Sequence, residues 1–232
     1  MVHPGQSLPL FSEGEIPEGV EPYIAKQKEK LRSIGGRYIS GYISTEEENE
    51  FLDRIKEAES QWLSVLKRRV QHYGYRYDYK ARKISEDMRI GKLPEWVVPF
   101  VERLVEDFFH ERPPEQMIIN EYKPGQGIAP HVDCEPCFGP VVVSISIGST
   151  CMMGLERRAV SSEKVRQVPA SDREGIELFL EPRSAVVLAG DSRYLWTHGI
   201  APRKNDIIGH RKYPRERRVS LTFRSVVLQQ DA

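Results

Sequence analysis

His131, Val132 and Asp133 form a short run in which an imidazole and a carboxylate stand two positions apart, and a second imidazole, His198, follows much later in the chain. On an extended segment, side chains at i and i+2 point to the same side, so His131 and Asp133 are able to grip one ion from one direction. Two histidines and one carboxylate on a single face of an octahedron make the facial triad of non-haem Fe(II) oxygenases, which leaves three positions for a co-substrate and O2. The HxD pattern alone is weak, because the same residues also read as a surface pair with a satisfied core histidine.

The last apolar run adds to it. Arg218, Ser220, Thr222 and Arg224 alternate with Val219, Leu221 and Phe223. A half-exposed edge strand gives the same alternation. In a small barrel, however, the polar face looks inward, and two enclosed guanidinium groups then need anionic partners. A dicarboxylate suits them, since guanidinium matches carboxylate in a bidentate fork.

The elements that must position these residues follow from composition and period. A chain of 232 residues, 39% hydrophobic, 29% charged and 9% aromatic, is too apolar for a disordered chain and long enough for one sizeable core, with no second full catalytic domain expected. The start, MVHPGQSLPLFSEGEIPEG, lacks a signal peptide's basic and apolar regions, and no run approaches about 18 apolar residues, so an intracellular, soluble protein with no membrane partner is expected, cytoplasmic or nuclear. Three cysteines are too few and odd in number for a disulfide framework, and reduced thiols are expected. Cys134 and Cys137 in C-E-P-C lack the second ligand pair that a zinc site needs.

Residues 1–37 read as an N-terminal extension, partly disordered, with one exposed helix around AKQKEKLR. RYISGYIS alternates like a strand. Ser44 and Glu47 then have the capping-box form before a helix over about 45–58 that buries Phe51, Leu52 and Ile55. Leu93, Trp96, Val97, Phe100, Val101, Leu104, Val105 and Phe108 recur at helical spacing, although Pro99 obscures the start. From about Met117 the runs MIINEY, VVVSISIG, IELFL, RSAVVLAG and RVSLTFRSVVL are strand-like, and the polar stretch 154–175 reads as an exposed hairpin or long loop. Strands following helices predict an α+β fold, an antiparallel sandwich or open barrel with helices on one face.

With the motifs in this order, the sequence resembles the AlkB-type Fe(II)/2-oxoglutarate dioxygenases from about Tyr38 to Leu228, most strongly over NEYKPGQGIAPHVD and SRYLWTHGI. The resemblance implies an AlkB-like domain over 38–232, with a double-stranded β-helix (jelly-roll) core at about 115–228, N-terminal packing helices and a nucleotide-recognition lid. It implies Fe(II) held by His131, Asp133 and His198, with 2-oxoglutarate and O2 as co-substrates. Arg218 would hold the distal carboxylate of 2-oxoglutarate and Arg224 the one nearest the iron. Asn120 and Tyr122 would hydrogen-bond the co-substrate, while Ser220 stands where some members have Asn. Such enzymes decarboxylate 2-oxoglutarate to succinate and CO2 while hydroxylating a C–H bond. A hydroxylated N-alkyl group collapses to formaldehyde and the free base.

The segment 67–83, KRRVQHYGYRYDYKARK, matches the position of the family's lid and interleaves seven basic residues with four tyrosines. Cations track phosphates and aromatic faces stack on unpaired bases, which makes Arg69, Tyr73, Tyr75, Arg76 and Tyr77 substrate candidates. Alternate tyrosines equally describe a half-buried strand with a solvated basic face. Glu135 is a further candidate, to accept from an exocyclic amine, or a plain loop carboxylate. The formal charge of zero, 34 basic against 34 acidic residues, at face value opposes a nucleic-acid partner. It is a sum over unlike regions: 44–60 holds seven acidic and two basic residues, 67–83 seven basic and one acidic, and 203–217 six basic and two acidic. The expected partner is therefore alkylated or modified nucleic acid, single-stranded or with a flipped base, and the expected state a monomer. Oxidative demethylation is the first reading. Hydroxylation of a modified tRNA nucleoside is the second, because RRVQHYGYRYDY and SRYLWTHGI look close to the AlkB-like domain of tRNA wobble-uridine hydroxylases. A protein substrate is the third.

Overall fold

Alternation with period two builds most of this chain, and a few amphipathic helices cover what the strands leave open. The computed structural model describes residues 21–64, 67–110, 112–158 and 175–228. In chain order the elements are α1 (Glu21–Ser33), β1 (Arg37–Ile39), α2 (Thr45–Glu57), β2 (Arg69–Tyr73), α3 (Val98–Leu104), β3 (Gln116–Tyr122), β4 (Ile128–His131) and β5 (Phe138–Gly148). There follow β6 (Cys151–Arg157), β7 (Gly175–Leu180), β8 (Ser184–Leu188), the single turn α4 (Asp191–Tyr194), β9 (Trp196–Ile200), β10 (Asn205–Ile208), β11 (Arg211–Pro214) and β12 (Arg218–Val226).

Ten of these strands make two antiparallel sheets. The larger has the order β1-β8-β5-β12-β3-β2 and the smaller β4-β9-β6-β7, while β10 and β11 form a separate hairpin. The non-sequential neighbours are those of a jelly roll, the double-stranded β-helix expected from the sequence. One core lies between the sheets, where Tyr122, Val142, Val186 and Leu188 meet Leu155, Leu178, Trp196 and Ile200. The second lies outside the larger sheet, where Phe51 and Ile55 of α2 and Phe100 and Leu104 of α3 cover Met117, Ile119, Val143, Ile145, Val219, Leu221 and Phe223.

Strand β12 runs through the middle of the larger sheet, paired with β3 on one side and β5 on the other. Its odd-numbered residues Val219, Leu221 and Phe223 are fully buried under the helices, each contributing roughly 1.5–3 kcal/mol. That burial fixes the phase of the strand, so Arg218, Ser220, Thr222 and Arg224 must face the space between the sheets. Helix α2 begins with the capping box read from the sequence: Glu47 N–H donates to Ser44 Oγ and Ser44 N–H to Glu47 Oε2. Pro99 sits at the start of α3, where the missing N–H removes no helical bond.

Three expectations change. The charged helix near the N-terminus is not simply exposed: α1 buries Ile24, Gln27 and Leu31, and Gln27 Oε1 accepts from Glu177 N–H of β7. Sparse apolar residues seven apart give that face no visible period. The polar stretch from 154 is strand β6 as far as Arg157 and meets β7 from Gly175; residues 159–174 of it lie outside the described residues. Cys134 and Cys137 are joined as a disulfide, where the sequence predicts free thiols. A tight turn, with Cys137 and Phe138 N–H both donating to the Cys134 carbonyl, sets their Cα atoms 5.3 Å apart, within disulfide reach.

Candidate active site

Strands β4 and β9 pair antiparallel with His131 directly opposite His198, and the two rings lie 4.4 Å apart between centroids. This approach needs Gly199, because a Cβ there would come within 2.8 Å of Pro130 N. Asp133 follows two residues beyond His131, and one ligand atom from each of the three side chains lies within 4.8 Å of the others. His131 Nδ1 is 2.9 Å from the Ala129 carbonyl oxygen. A carbonyl only accepts, so Nδ1 carries the proton and Nε2 keeps a lone pair for a metal.

Burial acts on Asp133 to raise its carboxyl, but Arg224 first, then His198, His131 and Arg193, outweigh it and hold the group well below the usual carboxylate range. Arg224 Nη1 donates to Asp133 Oδ1 at 2.6 Å, and His198 Nε2 lies 3.5 Å from Oδ2. Burial pushes His198 down to about 4, even against the opposing pull of Asp133. At neutral pH His198 is therefore a neutral imidazole and Asp133 a carboxylate, and with His131 they make a nitrogen and oxygen donor set that fits a divalent iron.

A cavity of about 390 Å³ opens from this triad between the sheets, within the size range of small-ligand sites. Arg218 and Arg224 reach into it from β12, and Asn120 and Tyr122 from β3. Arg218 Nη2 donates to Ser146 Oγ at 2.7 Å, but its Nε and Nη1 are buried with no partner among the described residues, as is Arg224 Nε. Unpartnered buried donors on cations are expensive unless an anion meets them, so the cavity fits a small dicarboxylate. Ser220 turns its hydroxyl to Ser144 Oγ of β5, at 2.8 Å.

The rim of the cavity is the segment 74–90, which has only isolated bridges instead of strands. Tyr77, Tyr79 and Arg82 line the opening. Tyr77 packs edge-on against Tyr79, with centroids 5.1 Å apart, and against Phe138, while Tyr79 Oη is 3.3 Å from His72 Nε2.

Several substrate candidates stand elsewhere. Arg69 is on the opposite face of β2, ion-paired with Glu121 and Glu59. Tyr73 points the same way into the helix-covered core and donates to Gln71 Oε1. Tyr75 is buried against Cys134, Cys137 and Phe138, with its hydroxyl donating to Glu86. Arg76 is exposed and its side chain does not line the cavity. Glu135 is exposed and tied to Arg158 at 2.6 Å. The physical reason is phase: in a strand one residue's shift exchanges faces, so Arg68 looks inward where the sequence predicts Arg69.

Two residues at the site escape a reading of the sequence. Arg68 lines the cavity and Arg193, almost fully buried, donates to the carbonyls of Asp133 (3.0 Å) and Gly139 (3.2 Å), fixing the turn that carries the carboxylate ligand. An arginine in a polar turn carries no sequence mark of burial.

The chain matches the family model of the 2OG-Fe(II) oxygenase superfamily over residues 35–224. It is 32% identical over 206 residues to an uncharacterized protein of Acanthamoeba polyphaga mimivirus, covering 87% of this chain and 90% of that protein. It is 35% identical over 230 residues to the Arabidopsis thaliana alkylated DNA repair protein ALKBH8 homolog, covering 94% of this chain and 65% of that protein. With the mouse tRNA (carboxymethyluridine(34)-5-O)-methyltransferase ALKBH8 the identity is 33% over 176 residues, 73% of this chain but 24% of that protein. Among solved structures, OsALKBH1 superposes with a TM-score of 0.57 at 17% identity, covering 82% of this chain and 98% of that one, a likeness of fold alone. An inward-facing triad, a cavity built for a dicarboxylate and a match running through both identify the chain as an AlkB-like member of the 2OG-Fe(II) oxygenase superfamily.

Proposed function

We propose that this dioxygenase acts on alkylated or modified bases of nucleic acid, single-stranded or flipped, and that oxidative demethylation is its principal reaction. The observation that carries the reading is the rim: Tyr77 and Tyr79 form an aromatic wall at the mouth of the cavity that holds the triad, with Arg82 beside them and exposed Arg76, Lys80 and Lys83 on the same segment. Aromatic faces stack on unpaired bases and cations follow phosphates. When bound, iron would let 2-oxoglutarate and O2 react together, one oxygen atom entering succinate as CO2 leaves and the other hydroxylating a substrate C–H. The protein's part is to hold the metal through His131, Asp133 and His198, to anchor the co-substrate on β12 and β3, and to bring one C–H close.

A second reading, hydroxylation of a modified tRNA nucleoside, is favoured by the likeness to the mouse relative, whose name refers to carboxymethyluridine 34 of tRNA. One experiment separates them: formaldehyde and succinate release measured against methylated DNA, methylated RNA and tRNA. Equal amounts of both on a methylated substrate support demethylation. Succinate with no formaldehyde on tRNA supports hydroxylation, and stimulation by none of the panel rejects nucleic acid and leaves a protein substrate.

A further inference from the structure

Arg68 is a buried cation that neither the sequence motifs nor the metal triad accounts for. It precedes β2 and is 8% exposed. Its strand phase is that of Val70 and His72, whose partners across the ladder are Asn120 and Ile118, so it faces the cavity beside Tyr122. Arg68 Nε donates to Asn120 Oδ1 at 2.8 Å. Its guanidinium stands 5.7 Å from the Tyr122 ring centre, and that of Arg218 stands 5.3 Å from the same ring.

The charges around the cavity are not evenly matched. Arg224 has Asp133; Arg69 and Arg217 share Glu121; Arg215 has Asp206. Among the described residues, no carboxylate pairs with Arg68 or with Arg218. Two uncompensated cations therefore flank Tyr122 in one enclosed space, away from the end where Asp133 neutralises Arg224. An anion must come from the ligand, since buried cations without partners are costly. A 2-oxo diacid with its keto-acid end at the metal carries a second carboxylate that can meet them.

We propose that Arg68 is a second cation for the distal carboxylate of 2-oxoglutarate, acting with Arg218 across Tyr122, and that it makes the site selective for 2-oxo diacids over 2-oxo acids lacking the second carboxylate. The inference rests on the co-substrate and is independent of the nucleic-acid reading, so either can fail alone.

The test is calorimetric titration of the full chain loaded with Mn(II), which occupies the metal site without turnover. Wild type, Arg68→Met, Arg68→Lys and Arg218→Met are each titrated with 2-oxoglutarate and with 2-oxopentanoate, which keeps the keto acid but ends in a methyl group. Arg68→Met is expected to weaken 2-oxoglutarate about tenfold or more, the size of one charge-assisted hydrogen bond, and to leave 2-oxopentanoate within about twofold. Arg68→Lys should fall between wild type and Arg68→Met. If Arg68 only props Asn120 and Tyr122, both ligands weaken in parallel, and that result overturns the proposal, as does unchanged 2-oxoglutarate affinity. Should Arg68→Met fail to fold, the same two-ligand comparison on Arg68→Lys decides: a selective loss for the diacid supports the proposal, and a parallel loss or none refutes it.

Discussion

The floor of the cavity and its rim are built on different physics. Floor residues come from β3, β4, β9 and β12, where ladder register and core burial set each side chain's direction, and from Asp133 on the turn after β4, which Arg193 and Arg224 tie. The rim, 74–90, is a chain excursion held by the bridges Tyr75–Arg89 and Asp78–Lys83, a hydrogen bond from Tyr75 to Glu86, and backbone N–H groups of Lys80 and Ala81 on Asp78. The lesson is a division of labour: paired strands, with the turn that Arg193 ties, carry the triad and the two arginines, and a segment held by isolated bridges borders the cavity. Floor changes should abolish or starve turnover, and rim changes should alter what is bound.

The largest effect is expected at Asp133. Asp133→Ala removes a metal ligand and strands Arg224 in a buried site, so Fe(II)-dependent succinate formation should vanish and the metal-free protein should lose about 3–5 kcal/mol in denaturant unfolding. Unaltered stability would show that the pair does not hold the floor. Arg193→Leu comes next. Freeing the turn that carries Asp133 should weaken Mn(II) binding about 10- to 100-fold, and an unchanged titration would remove Arg193 from the positioning role.

Arg218→Ala should raise the 2-oxoglutarate requirement about tenfold or more while leaving nucleic-acid affinity as it was. A requirement that does not move would sink its assignment. On the rim the dependence should invert: replacing Arg76, Lys80, Arg82 and Lys83 with Gln should weaken single-stranded binding and flatten its logarithmic salt dependence by about 0.7 for each phosphate that is no longer neutralised. No change in either would favour a protein substrate.

The smallest effect lies where rim meets floor. Burial first, then Arg224 and Arg76, holds His72 down to about 4. Unfolded His titrates near about 6.5, so below that pH the unfolded chain takes up a proton that the folded one refuses. Stability of the metal-free protein should fall as pH drops from about 6.5 to 4, with no further loss from this group below 4. His72→Gln should flatten part of that slope in unfolding measured from pH 7 to 4.5, and an identical slope would refute the assignment.

How far the sequence can be read follows the same division. Where burial enforces a period, as in β12 with Val219, Leu221 and Phe223, the alternation also reveals Arg218 and Arg224; the capping box of Ser44 and Glu47 marks α2 for the same local reason. The rim has no such constraint. The alternating tyrosines that run from the end of β2 into the rim look equivalent, yet Tyr73 and Tyr75 are buried in two different cores and Tyr77 and Tyr79 line the cavity. The one-residue phase separating Arg68 from Arg69 is set by the pairing of β2 with β3, which joins segments far apart in the chain. The burial of Arg193 depends on carbonyls from the 133–139 turn, which are equally invisible in a linear reading.

At the centre of the mechanism, His131, Asp133 and His198 would hold the iron at which O2 and 2-oxoglutarate react. Succinate release from 2-oxoglutarate, measured with and without added Fe(II) for wild type and for the His131→Ala, Asp133→Ala double variant, tests this most directly. Wild type is expected to give iron-dependent succinate and the variant none, with the variant still folded by circular dichroism. Iron-dependent turnover retained by a folded double variant would contradict it.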